Sequence, residues 1–261
     1  MGDLKSIFSS FRVQLSSSLY RTVFVTCILL NPIFFVFLLY MMYYSGYGTS
    51  SVGNVIVLGS GLTTIWSSIC FSSAGDIERE RREGTLEYLF ASPTSFSLIY
   101  LGKVLANTFL SLSGFIISFS IATFVLNEPP QIVNLAYFTL SFLLVFVSFI
   151  SLSLVLGPMF TLSRNSRAFV NSLDYPLFIL CGMVVSLDIL PPLIRPISYI
   201  LPPTLAIRLL RESANGIDNV NSYFLLFSIC VLICVSYVFL SAFLQKKIDN
   251  RARVRASLGV F

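Results

Sequence analysis

The stretch Ser73-Ala-Gly-Asp-Ile-Glu-Arg-Glu-Arg-Arg-Glu-Gly-Thr-Leu-Glu-Tyr-Leu-Phe-Ala-Ser-Pro93 carries charge at Asp76, Glu78, Arg79, Glu80, Arg81, Arg82, Glu83 and Glu87. It lies between two apolar runs long enough to cross a bilayer, for which about 20 residues suffice. An island of alternating charge in that position is expected to sit in water. Its mixed signs and helical spacing suit a surface gripped by another protein. Glu78–Arg82 and Arg79–Glu83 are opposite charges four apart, each supporting a helix by roughly 0.2–0.5 kcal/mol. The second apolar run is therefore expected to continue out of the bilayer as a charged helix. Gly84 should interrupt it, since Gly costs about 1 kcal/mol in a helix interior. Thr85 can then cap a short helix from Leu86 to Ala91, with Leu86, Leu89 and Phe90 on one side and Glu87 on the other. Ser92-Pro93 ends that helix and starts the next, Pro being favoured at a first helical position.

The rest of the chain sets the class. It is 56% hydrophobic and 11% charged, with 25 Phe and no His, where soluble domains carry roughly 25% charged residues. Mean hydropathy is +0.85. Apolar runs of membrane length recur throughout, and in hydrocarbon only helices or closed barrels satisfy their own backbone. The runs are continuous rather than alternating, which points away from a barrel. The expectation is an all-α membrane protein with six transmembrane helices, forming a single domain over residues 1–261. All five cysteines, Cys27, Cys70, Cys181, Cys230 and Cys234, fall inside expected spans, so they read as buried apolar thiols rather than a disulfide framework. The first apolar run is too long for the core of a cleavable signal peptide.

Residues 3–21 are not a span. Leu4, Ile7, Phe8, Phe11, Leu15 and Leu19 recur at three- and four-residue steps, with Lys5, Arg12 and Gln14 elsewhere on the wheel. That pattern predicts an amphipathic helix in the membrane interface. Spans one to five are expected within 22–187: over 22–44 with a kink near Asn31-Pro32, then 54–73, 98–126, 134–160 and 169–187. Pro191, Pro192, Pro196, Pro202 and Pro203 cut residues 188–220 into pieces too short to cross, which predicts short re-entrant or interfacial helices. The sixth span covers 221–244, and residues 245–261 form a basic tail. With the N-terminus cytoplasmic, 14 of the 17 Lys and Arg residues fall on one side, as the positive-inside rule expects. Both termini are then cytoplasmic, in a multi-pass protein of the cell membrane. The net charge of +5 is topological and gives no support for nucleic-acid binding.

Absences narrow the function. Without His, a Ser–His pair or a His-based metal site is excluded, and no glycine-rich phosphate loop followed by Lys-Ser/Thr occurs. Asp174 is the main ionisable residue inside an expected span, and ion-coupled carriers usually need more. Against this background, Glu83-Gly-Thr-Leu-Glu87, then Ser92-Pro93, then Leu101-Gly-Lys103 resembles the signature of the ABC-2 family of exporter permeases. The interfacial N-helix, six spans and proline-broken segment match that family's layout along the whole chain, more in the manner of its drug-exporter branch than its polysaccharide branch.

The resemblance implies a transport subunit with no catalytic residue and no cofactor of its own. ATP and Mg would be bound by a separate ABC ATP-binding subunit, present in two copies. A second permease copy, as a homodimer, or a close relative would complete the path. The short helix at 85–91 would be the cytoplasmic coupling helix that enters a groove on the ATPase, with residues 3–21 touching the same subunit. Glu83, Gly84, Thr85, Leu86, Glu87, Leu89, Ser92 and Pro93 are the candidate coupling residues: Glu83 and Glu87 as anchors, Gly84 as elbow, Leu86 and Leu89 as packing. The low charge of the spans suits an amphipathic, drug-like or lipid-linked cargo. Outside, Arg208 and Arg211 sit three apart beside Glu212, either snorkelling to the interface or meeting an anionic lipid headgroup or substrate. Phe34, Phe35, Phe37, Tyr40, Tyr43 and Tyr44 either line a path for cargo or form an aromatic belt. A rival reading keeps the membrane layout and makes the chain a stand-alone channel or secondary carrier.

Overall fold

The computed structural model describes residues 2–44, 52–85, 88, 94–162, 172, 175–184, 187–217 and 219–255. Regular structure in these residues is helical throughout: α1 (Gly2–Tyr20), α2 (Thr22–Tyr44), α3 (Val52–Arg82), α4 (Phe96–Phe124), α5 (Leu135–Leu162), α6 (Arg195–Ile200), α7 (Pro202–Asn215) and α8 (Val220–Arg255), with a 3-10 turn at Leu187–Ile189. Stretches long and apolar enough to cross a membrane occur in five of them, α2, α3, α4, α5 and α8. Of the fifth expected span, 169–187, residues 172, 175–184 and 187 are described, and Asp174 is not. Within it, residues 175–180 are helical and the chain turns at 181–182.

α3 is the axis of the bundle. In its apolar part, Val52–Ile69, 89% of residues are buried, against 17% in the span of α8. Leu62, Ile65, Trp66 and Ile69 fill the centre, with Trp66 against Phe149 of α5 at 6.3 Å between rings. Between them lie Ser60, Thr63 and Thr64, fully buried. Their hydroxyls donate to carbonyls of their own helix, Ser60 to Ile56 and Thr64 to Ser60 at 2.8 Å in the latter case. Such back-bonding satisfies the hydroxyl without water, so small polar residues can pack helices closely in an apolar setting.

α2 matches its expected bounds and runs as one helix through Pro32. α8 exceeds them: the helix continues through the basic segment to Arg255. Among the aromatic residues of α2, Phe34 and Phe37 are exposed. Phe35 packs edge-on against Phe178 at 5.7 Å, and the Tyr43 hydroxyl donates to the Val184 carbonyl at 3.4 Å.

The proline-rich segment yields two short helices. Fourteen residues give α7 about 21 Å of length, too little to cross. It is nevertheless in the core, packed between α5 and α8 with Leu205, Ile207, Leu209 and Leu210 buried. Its Asn215 end meets Asn54 at the start of α3, with side chains 2.9 Å apart. At its other end the Pro202 carbonyl accepts from Cys230 Sγ at 3.6 Å. Cys230 is ten residues into α8, roughly 15 Å below its start. α7 therefore runs from the rim of the bundle into its interior.

Candidate functional site

The charged end of α3 is where the island of the sequence becomes a site. Asp76 and Glu80 are four apart, so they share one helix face, together with buried Ile77. That face is turned into the bundle. Asp76 is 3% exposed and Glu80 7%. This corrects the expectation that the whole island lies in water: Arg82, Glu83, Gly84 and Thr85 are exposed, but the two carboxylates are not. They are tolerated because cations reach them, since a buried charge must be paired and hydrogen-bonded.

Each carboxylate is held by a cation from outside α3. Arg21 lies between α1 and α2: its N–H donates to the Ser18 carbonyl at 3.2 Å and its carbonyl accepts from Val25 at 3.0 Å. From that corner its Nη1 ion-pairs with Asp76 Oδ1. Lys103 of α4 ion-pairs with Glu80, both side chains largely buried. The two pairs cancel in charge.

A neutral network completes the joint. Gln14 of α1 donates through Nε2 to Asp76 Oδ2 at 2.7 Å, and that nitrogen also lies 3.0 Å from Ser18 Oγ and 3.4 Å from Asn107 Oδ1. Two amide hydrogens cannot serve three acceptors fully, and the charged acceptor takes the shortest bond, as charge assistance predicts. Ser18 Oγ donates to Asn107 Oδ1 at 2.8 Å, and Ser68 Oγ to the Asn107 carbonyl at 3.2 Å. Arg21 Nε and Nη2 are buried with no partner among the described residues.

The polar side of α1 is the side that packs on the bundle. Gln14 and Ser18 form its buried face, whereas Leu4, Phe8 and Leu19 are exposed. The close approach that permits this is at Gly102. A β-carbon there would stand 2.6 Å from the Ile7 carbonyl oxygen and 2.8 Å from Ser10 Cβ. Gly102 thus makes room for the backbone of α1, and Lys103 beside it makes the ion pair with α3.

The void between these side chains, bordered by Asp76, Glu80, Lys103 and Asn107, is about 10 Å³, about the volume one water needs. No substrate or nucleotide fits. The arrangement is a mechanical joint between α1, α3 and α4, rather than a ligand pocket. Ser97 of α4 also bonds Gln245 of α8 near its basic segment, so α8 brings its cations to this same end.

Of the candidate coupling residues, Gly84 has φ +69° with open space around it, which suits the elbow expected there. Glu83 reaches Arg79 at 3.8 Å. Thr85 donates back to the Glu80 carbonyl at 3.3 Å, closing the end of α3 where the sequence suggested a cap for the next helix. Leu86, Glu87, Leu89, Ser92 and Pro93 lie outside the described residues; Tyr88 among them is helical and exposed. Gln14, Ser18, Arg21, Asp76, Asn107 and the partnership of Lys103 were missed in the sequence. A usable signal existed for Asp76 and Glu80, which continue the inward stripe of Ile69 and Ile77.

The far end has its own knot. Asn54 Oδ1 accepts from the Gln131 N–H at 2.8 Å, and Nδ2 donates to the Gln131 carbonyl at 2.8 Å and to Asn215 at 2.9 Å. Asn54 and Asp76 are about 33 Å apart along α3, so polar knots bracket a length close to the ~30 Å hydrocarbon core.

Arg208 and Arg211 part company. Arg208 is exposed, bonded to Glu212 at 2.9 Å and 3.5 Å from the Tyr199 hydroxyl. Arg211 turns inward and donates to the Met183 carbonyl at 2.9 Å. The Glu212 bond raises the pKa of Arg208, while burial lowers that of Arg211. Arg208→Gln is expected to cost less than about 1 kcal/mol, as exposed pairs do. Arg211→Gln should cost about 1.5–3 kcal/mol through its charged hydrogen bond. Thermal unfolding of the two purified variants would separate them.

A bundle of apolar helices, five of them with stretches of membrane length, closed at one end by a paired-charge joint and at the other by a short inserted helix, is the architecture of a multi-pass membrane protein. The chain belongs to the ABC-2 type transporter family, whose model matches residues 8–214. That range holds both the joint and α7 almost entire. The chain is also 25% identical over 170 residues to the "Probable multidrug ABC transporter permease YbhS" of Escherichia coli K12 and of Escherichia coli O157:H7. The alignment covers 64% of this chain and 41% of each relative, so the chain spans well under half the length of the curated relatives it matches.

Proposed function

We propose that the chain is the membrane-spanning permease subunit of an ATP-driven exporter, coupled to a separate ATP-binding subunit. The observation that carries the reading is the joint at Asp76 and Glu80, placed immediately before the exposed elbow at Gly84. A partner pressing on residues 85–93 would load the end of α3, and the two ion pairs would pass that load to α1 and α4. Because α3 is one helix from Val52 to Arg82, displacement at its charged end also works on the Asn54 knot. This is a lever of the rigid-element kind. Six spans, with α6 and α7 as re-entrant helices and both termini cytoplasmic, complete the layout in the cell membrane. ATP and Mg sit on the partner, two copies of which serve a permease homodimer. The cargo is amphipathic, drug-like or lipid-linked, and exposed Arg208 is the better placed of the two outer arginines to meet an anionic headgroup, with Arg211 holding the turn at Met183.

The test is reconstitution with the ATP-binding subunit in vesicles. Gly84→Pro and Glu87→Lys are each expected to lower substrate-stimulated ATPase and export at least tenfold, about 1.4 kcal/mol of coupling, while the protein still inserts. Transport by the purified chain without any ATPase would favour the channel or secondary-carrier reading and overturn this one.

A further inference from the structure

At the end of the bundle remote from the joint, α3, α4, α5, α7 and the 127–134 connection border an open cavity of about 280 Å³. Leu58 and Ala214 lie at its back, both buried, and Phe115, Phe138 and Phe142 form its walls. Phe115 and Phe142 meet edge to face at 5.1 Å and Phe138 stacks on Phe142 at 6.0 Å, so the walls are braced against collapse. Ile116 and Phe119 of α4, 67% and 48% exposed, form the rim. The cavity is thus continuous with the apolar outer surface of α4. Phe119 is five residues before the end of α4, roughly 7.5 Å along its axis, while Pro130 and Ile132 of the connection line the same space, so the opening reaches from the loop layer into hydrocarbon depth.

We propose that this cavity holds one acyl chain of a membrane phospholipid from the leaflet remote from the charged end. The lining explains the choice. Asn54 is its polar residue, and both hydrogens of its amide and its carbonyl oxygen are already engaged by Gln131 and Asn215. The occupant therefore gains no polar contact inside and must be hydrocarbon. Whatever enters must leave its polar part outside the rim, as a phospholipid does, and displacement by a drug separates a lipid from a cargo. A second protein copy would present a helix face too broad to reach Leu58 and Ala214, whereas a slender chain reaches them from the rim. Apolar cavities of about 150 Å³ take up benzene and stay dry, and this one is nearly twice that size. Its lining regains lost dispersion contacts only when filled. The proposal rests on the cavity facing lipid and is independent of how transport is powered.

The experiment uses the full chain in vesicles containing a phospholipid with a diazirine at mid acyl chain, followed by peptide mapping of the photo-label. Phe239 of α8, 72% exposed, reports ordinary lipid contact. Label on Phe115 and Phe142 is expected to exceed that on Phe239 about fivefold, equivalent to about 1 kcal/mol of preference. Ala214→Phe, which fills the back, and Ile116→Trp, which blocks the exposed rim without touching the core, should each remove the excess and leave the Phe239 label unchanged. Wall label no greater than at Phe239, or wall label that survives Ile116→Trp in folded protein, overturns the proposal. So does displacement of the wall label by a cationic amphipathic drug, which would make the site the cargo's. Protection of the walls by a disulfide between two copies through Phe119→Cys would assign it to a second copy and overturn it equally.

Discussion

Replacing Asp76 by Ala is expected to be the most damaging single change to the folded chain outside its apolar core. The carboxylate is almost fully buried and receives Arg21 on one oxygen and Gln14 on the other. Its loss leaves a guanidinium whose Nε and Nη2 already lack partners among the described residues, and frees the Gln14 amide from its shortest bond. Removing one member of a buried ion pair costs about 3–5 kcal/mol. Arg21 keeps 22% exposure of its side chain, so water can reach it in part and the lower figure applies. About 3 kcal/mol corresponds to a fall in unfolding temperature of roughly 6 °C for a chain of this length. Asp76→Asn keeps the shape and one acceptor and should fall between wild type and Ala. Exchanging the two charges, Arg21→Asp with Asp76→Arg, should recover part of the loss, because the coupling energy belongs to the pair. A melting temperature for Asp76→Ala within about 1 °C of wild type would mean that the carboxylate is not paired as described.

What the sequence revealed and concealed follows from the range of the interactions concerned. The bounds of α2 are local: an apolar run from Thr22 to Tyr44, with Arg21 before it and a sequence rich in Gly, Ser and Thr after it. The charged extension of α3 and its end at Gly84 were equally readable, since the i,i+4 charge pairs and the glycine act within two turns. The burial of Asp76 and Glu80 was not, because it depends on Arg21 and Lys103, 55 and 23 residues away. The inner face of α1 was hidden for a different reason. Apolar periodicity marks the face that an interfacial helix turns to lipid and leaves open what its polar face meets. The driving force between helices is then packing and hydrogen bonding. Gln14 and Ser18 find partners only inside the bundle, while Leu4, Phe8 and Leu19 lose nothing by facing out. Arg208 and Arg211 show the same limit: spacing placed them on one helix, and only the fold turned Arg211 toward the carbonyl of Met183. The glycine of Gly102-Lys103 was visible as part of a motif, but nothing in the motif said what the missing side chain makes room for.

That glycine provides a test in which two effects have opposite sign. By intrinsic propensity, Gly102→Ala in the second turn of a 29-residue helix should stabilise the chain by about 1 kcal/mol. By contact it should destabilise, because the new methyl would stand 2.6 Å from the Ile7 carbonyl oxygen, 2.8 Å from Ser10 Cβ and 3.1 Å from the Phe11 nitrogen. Two of these are backbone atoms of α1, which cannot yield by changing rotamer, so the whole helix must move outward. Overpacking of this kind costs about 1–3 kcal/mol. Moving α1 also stretches the bonds from Gln14 to Asp76 and from Ser18 to Asn107, each worth about 1 kcal/mol. Contact therefore wins, and Gly102→Ala is expected to lower stability by a net 1–3 kcal/mol, roughly. Gly102→Leu should release α1 altogether, seen as faster amide hydrogen exchange across Gly2–Tyr20 with α5 and α7 unchanged. Combining Gly102→Ala with Gln14→Ala should cost less than the sum of the two, by about 0.5 kcal/mol or more, because both act through the same docking of α1. If Gly102→Ala instead stabilised the chain, propensity would have prevailed, α1 would not lie along α4, and Arg21 would be left without the corner that aims it at Asp76.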